Sequence, residues 1–153
     1  SYYASSFIEF DKGGTNEVVG ERYLKLFNGH AIGPALAKYS YDTNKGSKAA
    51  RITCGNDQLA VFYNGGPYFE MPHNTTAKVI CTYSDKNNLP AVLHSKYGKG
   101  KVLLSAIHFE YNPAMLNHND KYYQDIIQTL NYENNNRIYF GKKMLDLLDI
   151  RTK

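Results

Sequence analysis

The chain has 153 residues, 42% of them apolar and 21% charged, which is enough for one packed core, and its formal charge is +4. No stretch approaches the roughly 20 continuous apolar residues that a membrane-crossing helix requires, and the N-terminus lacks the basic and apolar blocks of a signal peptide. A single soluble, cytoplasmic domain over residues 1–153, without a membrane or nucleic-acid partner, is therefore expected. The 18 Lys and Arg residues are dispersed rather than clustered, which argues against a polyanion footprint. Fourteen tyrosines keep a basic binding module open as an alternative, although tyrosines in strands more often pack than stack on bases.

In chain order, "SYYASSFIEF" reads as a short helix that begins without a cap and breaks at Asp11-Lys12-Gly13-Gly14. Such a start suggests a chain cut inside an element. A strand is expected from Tyr23 to Phe27, followed by an Asn28-Gly29 turn and a Gly33-Pro34 break. Ala50 to Cys54 and Gln58 to Tyr63 form a hairpin pattern around Gly55-Asn56-Asp57.

Ala77 to Tyr83 predicts another strand, and Ala91 to Lys96 with Lys101 to Ile107 predict a second hairpin whose latter strand is the most apolar of the chain. Helical spacing follows over Lys121 to Leu130 and Asn136 to Leu148, with Asn134-Asn135-Asn136 placed to cap the second helix. The apolar faces of both should cover a sheet. The fold class this implies is α/β with a largely mixed sheet.

The chemistry-bearing stretch is "LLSAIHFEY", residues 103–111. If the strand ran on through it, His108 and Glu110 would share one side, and a carboxylate beside an imidazole sets its tautomer and makes it a general base. The plain alternative is a solvated pair at a strand end, and a bare H-x-E is weak on its own. No second histidine or carboxylate stands at metal-ligand spacing, so no metal is expected.

A base of this kind needs a nucleophile, and neither Cys54 nor Cys81 lies on a sharp strand-to-helix turn. Both sit in β-rich runs, and reduced thiols are the simpler expectation, with a single Cys54–Cys81 disulfide as the alternative. "YNGGP", residues 63–67, is a strand-ending turn whose Asn64, Gly65 and Gly66 are also candidates to line a pocket with their amides.

The order of "SYYAS", "LFNGHAIGPA", "LAVFYNGGPYFE", "VICTYSD", "PAVLHSKYGKGKVLLSAIHFEY" and "ENNNRIYFGKKMLDLLDI" resembles the N-terminal region of eukaryotic biotin protein ligases, which is similar to class I glutamine amidotransferases. The resemblance spans nearly the whole chain. It implies a flavodoxin-like or Rossmann-like layer fold whose N-terminal half is missing here. It also implies a Cys-His-Glu triad in which His108 and Glu110 take the last two places. The cysteine would then precede Ser1 by about three residues, in a glycine-flanked elbow before a helix, which adds Ser1 and Tyr2 to the pocket candidates.

For function, the resemblance implies an amidotransferase-like accessory or regulatory domain with no cofactor of its own. Its parent would use biotin and ATP in a separate ligase domain of the same polypeptide and pass biotin to carboxylases. A Cys-His-Glu amidase or glutaminase with an upstream nucleophile is the competing expectation.

Overall fold

Strand-forming residues dominate the first two thirds of the chain, and in the computed structural model, which describes residues 4–10, 17–21, 26–40 and 43–152, they assemble into two sheets. The larger sheet contains β4 (Ser47–Cys54), β5 (Asp57–Asn64), β7 (Lys78–Tyr83), β8 (Leu89–Tyr97) and β9 (Gly100–Ser105) in the order β5-β4-β7-β8-β9. All of its pairings are antiparallel. The smaller sheet orders β1 (Ala4–Phe10), β2 (Glu17–Glu21), β3 (Phe27–Gly33) and β6 (Tyr68–Glu70) as β2-β1-β3-β6, with β1 and β3 parallel. The architecture is thus α/β with mostly antiparallel strands.

The expected hairpins form. Cys54 pairs with Asp57 across the two-residue Gly55-Asn56 turn, and Gly55 supplies the positive φ (64°) that a tight hairpin requires. β8 and β9 join in the same way around Gly98, with Tyr97 paired to Gly100. β5 is buried along most of its length because it has a neighbour on each face: Val61 and Tyr63 enter the main core, whereas Phe62 enters a second one. That explains its unbroken apolar run.

Three expectations need correction. Residues 4–10 form a strand, not a helix, in keeping with the β-forming Phe7, Ile8 and Phe10, and they pair on both sides with β2 and β3. Asn28-Gly29 is not a turn: it lies inside β3, where Phe27, Gly29, Ala31 and Gly33 alternate inward. A Cβ on Gly29 would collide with the Glu70 carbonyl and the Phe27 ring, so glycine is there for close approach of strands. Residues 23–25 of the expected strand lie outside the described residues.

The third correction concerns the cysteines, which are not thiols: Cys54 and Cys81 face each other across β4 and β7 and are joined in a disulfide, with Cα atoms 4.2 Å apart. β4 and β7 share two register pairs, Ile52 with Tyr83 and Thr53 with Thr82, and the disulfide continues that register.

Both C-terminal helices cover the larger sheet, as their spacing predicts. α1 (Gln124–Tyr132) buries Ile127 and Leu130 against Phe62, Leu116 and Tyr123. α2 (Asn134–Leu147) buries Phe140 and Met144 in the main core, with Ile52, Leu59 and Val61. Before α1, the Asp120 side chain accepts from the Tyr122 amide, and the Tyr122 hydroxyl accepts from the Gly46 amide and donates to the Ser47 carbonyl. No helix among the described residues is long and apolar enough to cross a membrane.

At the centre, the fully buried Tyr83 donates its hydroxyl to the Pro67 and Ala106 carbonyls at 2.8 and 3.2 Å. Burial pushes its phenol far above the usual range, so it remains a neutral donor at any ordinary pH. Tyr83→Phe would leave these carbonyls without that donor in a dry site. We expect a loss of about 1–3 kcal/mol of unfolding free energy, read from the urea midpoint; an unchanged midpoint would show that the hydroxyl carries no stability.

Candidate functional site

The stretch leaving β9 is unusual in how completely its backbone is held. The Ala106 amide donates to Ala91 in β8 at 2.9 Å, and the Ser105 hydroxyl donates to the Ile107 carbonyl at 2.7 Å. The His108 amide then donates to the Phe62 carbonyl of β5 at 2.9 Å, forming an antiparallel bridge, and the His108 carbonyl accepts from Tyr111. The Phe109 carbonyl accepts from Arg137 Nη1 at 2.7 Å. Each contact satisfies a group that burial would otherwise penalise, and together they allow the segment one path.

On that path His108 Nδ1 and Glu110 Oε1 lie 2.7 Å apart. The expected pairing is present, but its cause differs from the expectation. β9 ends at Ser105, and Phe109-Glu110 form a turn, so the two side chains meet around a turn rather than along an extended strand. Nor is β9 central: it is the last strand of its sheet, and the sheet curls until the chain beyond β9 reaches β5 at the other end of the order.

Glu110 is held below the usual carboxylate range, mainly by the hydrogen bond from His108, with smaller help from the nearby charges of His108 and Arg137 against the cost of partial burial. An ionised carboxylate can only accept, so Nδ1–H donates to it, and the neutral imidazole carries its lone pair on Nε2. The side chains are 40% and 61% exposed, so the ring can meet an incoming group. The arrangement can take a proton at Nε2 and stabilise the resulting imidazolium.

Among the other candidates, the Asn64-Gly65-Gly66 turn sits beside this segment and is built by packing. Gly65 has φ 82° and lies against Tyr39, and a Cβ on Gly66 would run into the Ala106 carbonyl. The Gly66 carbonyl accepts from the Ala35 amide at 2.9 Å. The Tyr63 hydroxyl, at the start of the turn, accepts from the Leu36 amide at 3.0 Å. Ser1 and Tyr2 lie outside the described residues. Among the described residues, no group of three or more His, Cys, Asp or Glu side chains is placed to hold a metal.

Sequence reasoning missed Phe62 and Arg137, which bond to the His108 amide and the Phe109 carbonyl from 46 residues before His108 and 29 after it in the chain. A cavity of about 420 Å³, between Val79, Ile80, Met144 and Leu147, also went unread, as did one of about 300 Å³ between Leu59, Tyr139 and Lys143; neither is lined by His108 or Glu110. The only partial signal was the arginine at the start of α2, a residue type that is rarely buried without a reason.

Fold and site together define an α/β chain that carries a carboxylate-oriented histidine and, with both cysteines bonded, no free thiol to face it. The chain belongs to the family described as biotin-protein ligase, N terminal, which matches residues 1–153. It is 31% identical over 120 residues to a biotin–protein ligase of Schizosaccharomyces pombe, covering 72% of this chain and 19% of that protein. It is 32% identical over 118 residues to an uncharacterized protein of Chlamydia muridarum, covering 74% of this chain and 46% of the other. The chain thus spans less than half the length of either relative. No solved structure gives a significant match.

Two outcomes follow. Because the native Glu110 carboxyl titrates below its unfolded value, its contribution to stability is complete above the ordinary carboxylate range and is lost as pH falls through that range and the depressed native value. Glu110→Gln should therefore cost under about 1 kcal/mol near neutrality, after allowance for exposure, and the difference should vanish in acid; urea unfolding across a pH series reads this. Gly66→Ala should cost about 1–3 kcal/mol by forcing turn and segment apart, while Gly100→Ala, which meets nothing closer than 3.5 Å, is the mild control in the same assay.

Proposed function

We propose that residues 1–153 form an amidotransferase-like accessory or regulatory unit of a biotin protein ligase, acting through contact with the ligase domain of the same polypeptide or with its carboxylase substrates. In this reading the parent uses biotin and ATP in the ligase domain and the present chain holds neither. The observation that carries the reading is the 2.7 Å His108–Glu110 contact in a chain whose cysteines are both committed to a disulfide. It pairs a base and its orienting carboxylate with no sulfur nucleophile of their own.

The flavodoxin-like amidotransferase fold belongs to the proposal, as do Asn64, Gly65, Gly66, Ser1 and Tyr2 as pocket candidates. So does a cytoplasmic location. A reducing cytoplasm works against the Cys54–Cys81 bond, so that location requires a bond shielded from reductant or formed late.

The same contact favours a second reading, an amidase or glutaminase with His108 as base, Glu110 as orienter and a cysteine supplied from outside this chain. Attack by such a thiolate on a carboxamide carbon would release ammonia, with His108 passing the proton to the leaving nitrogen, and water would then cleave the thioester.

One experiment separates the readings. In the full-length protein, His108→Ala should leave formation of biotinyl-adenylate within about twofold of the parent, with no ammonia released from glutamine by either. Loss of adenylate formation in a folded variant would overturn the accessory role. Ammonia release that drops by about three orders of magnitude or more in the variant would establish the amidase.

A further inference from the structure

The turn that carries Phe109 is gripped from α2 by two side chains. The Arg137 guanidinium donates through Nη1 to the Phe109 carbonyl at 2.7 Å, and its Nε donates to Asn134 Oδ1 at 3.0 Å. One turn further along the helix, the Phe140 ring meets the Phe109 ring edge-on, with centroids 5.7 Å apart. Arg137 is 9% exposed.

A guanidinium is an expensive residue to bury, and an apolar side chain of the same volume would pack there at no electrostatic cost. Its acceptors, Asn134 Oδ1 and the Phe109 carbonyl, are neutral oxygens, and among the described residues no carboxylate forms a salt bridge with it. The other charged group on its own turn, buried Glu133, is engaged by Asn136 at 2.7 Å and lies 4.0 Å from Arg51. What the buried cation provides is one hydrogen bond to the carbonyl between His108 and Glu110, from a guanidinium that Asn134 holds in place, together with a positive field toward Glu110.

We propose that Arg137 is the positioning residue of the His108–Glu110 pair, setting through the Phe109 carbonyl the turn that brings Glu110 Oε1 to His108 Nδ1. The importance of the pair rests on the function proposed above; its geometry does not. The Asn134 side chain acts one step further back, since it aims the guanidinium. The charged groups at the turn are His108 and Glu110 within it and Arg137 from α2, while Glu133, which precedes α2, and Arg51 of β4 lie 4.0 Å from each other.

The test is nuclear magnetic resonance of the isotope-labelled 153-residue chain. In Arg137→Met, which keeps the bulk and removes the donor and charge, the Glu110 carboxyl should titrate upward, toward the ordinary carboxylate range. The hydrogen-bonded Nδ1–H signal of His108 should exchange away with solvent. Arg137→Lys, which keeps a charge and one donor, should move both signals part of the way back toward the parent.

A folded Arg137→Met chain in which both signals match the parent would overturn the proposal. If that variant does not fold, Arg137→Lys and Asn134→Ala replace it: a change in either variant supports positioning, and parent-like signals in both refute it. These signals report the pair itself and not turnover, so their failure is distinct from failure of the biotin-transfer and ammonia assays.

Discussion

The hydrogen bond from the His108 amide to the Phe62 carbonyl is the constraint on which the site depends. It joins the end of β9 to β5, strands that stand at opposite ends of one sheet order. Phe62 is in turn anchored beneath α1, and its ring lies 4.8 Å from that of Tyr111, just beyond the turn. Without this closure the chain beyond β9 would leave an edge strand into solvent, where an exposed imidazole and carboxylate are held together by little more than a fraction of a kcal/mol.

Polar groups buried around this closure give it a single geometry. The Ala106 carbonyl accepts from Tyr83 and is pressed against Gly66, so the exit from β9 and the Asn64-Gly65-Gly66 turn are positioned by the same atom. Tyr83 ties that atom to Pro67 as well. Each such bond has a net worth of about 1 kcal/mol. Leaving its partner unmade costs more, and that asymmetry selects one packing over near alternatives.

Local features of the sequence were readable where a short-range rule decides them. The Gly55-Asn56-Asp57 turn and the β-forming runs of β7 and β8 predicted strands, and the apolar spacing of α1 and α2 predicted helices that cover a sheet. The rule failed at Asn28-Gly29, where a turn dipeptide is drawn into β3 by contacts with β6, and at residues 4–10, whose small residues resemble a helix start although their pairing is with β2 and β3. The Asn134-Asn135-Asn136 tract was expected to cap α2. In the structure Asn134 and Asn136 instead hold Arg137 and Glu133.

Of the site, the His108–Glu110 pair was legible because only Phe109 separates its members in the chain. The bonds that place the pair were not, since they come from Phe62 and Arg137, and no period or turn motif reports contacts at such range. The disulfide was hidden for the same reason, as Cys54 and Cys81 are 27 residues apart and meet only through the register of β4 with β7.

The curl of the larger sheet also has a kinetic side. Because the His108-Phe109 segment is clasped by one residue far upstream and another far downstream, this corner is complete only once α2 has docked, and closures of that span are slow steps in folding. Release of α2 would remove the Arg137 hold on the turn and leave the His108–Phe62 bond and the hairpins in place.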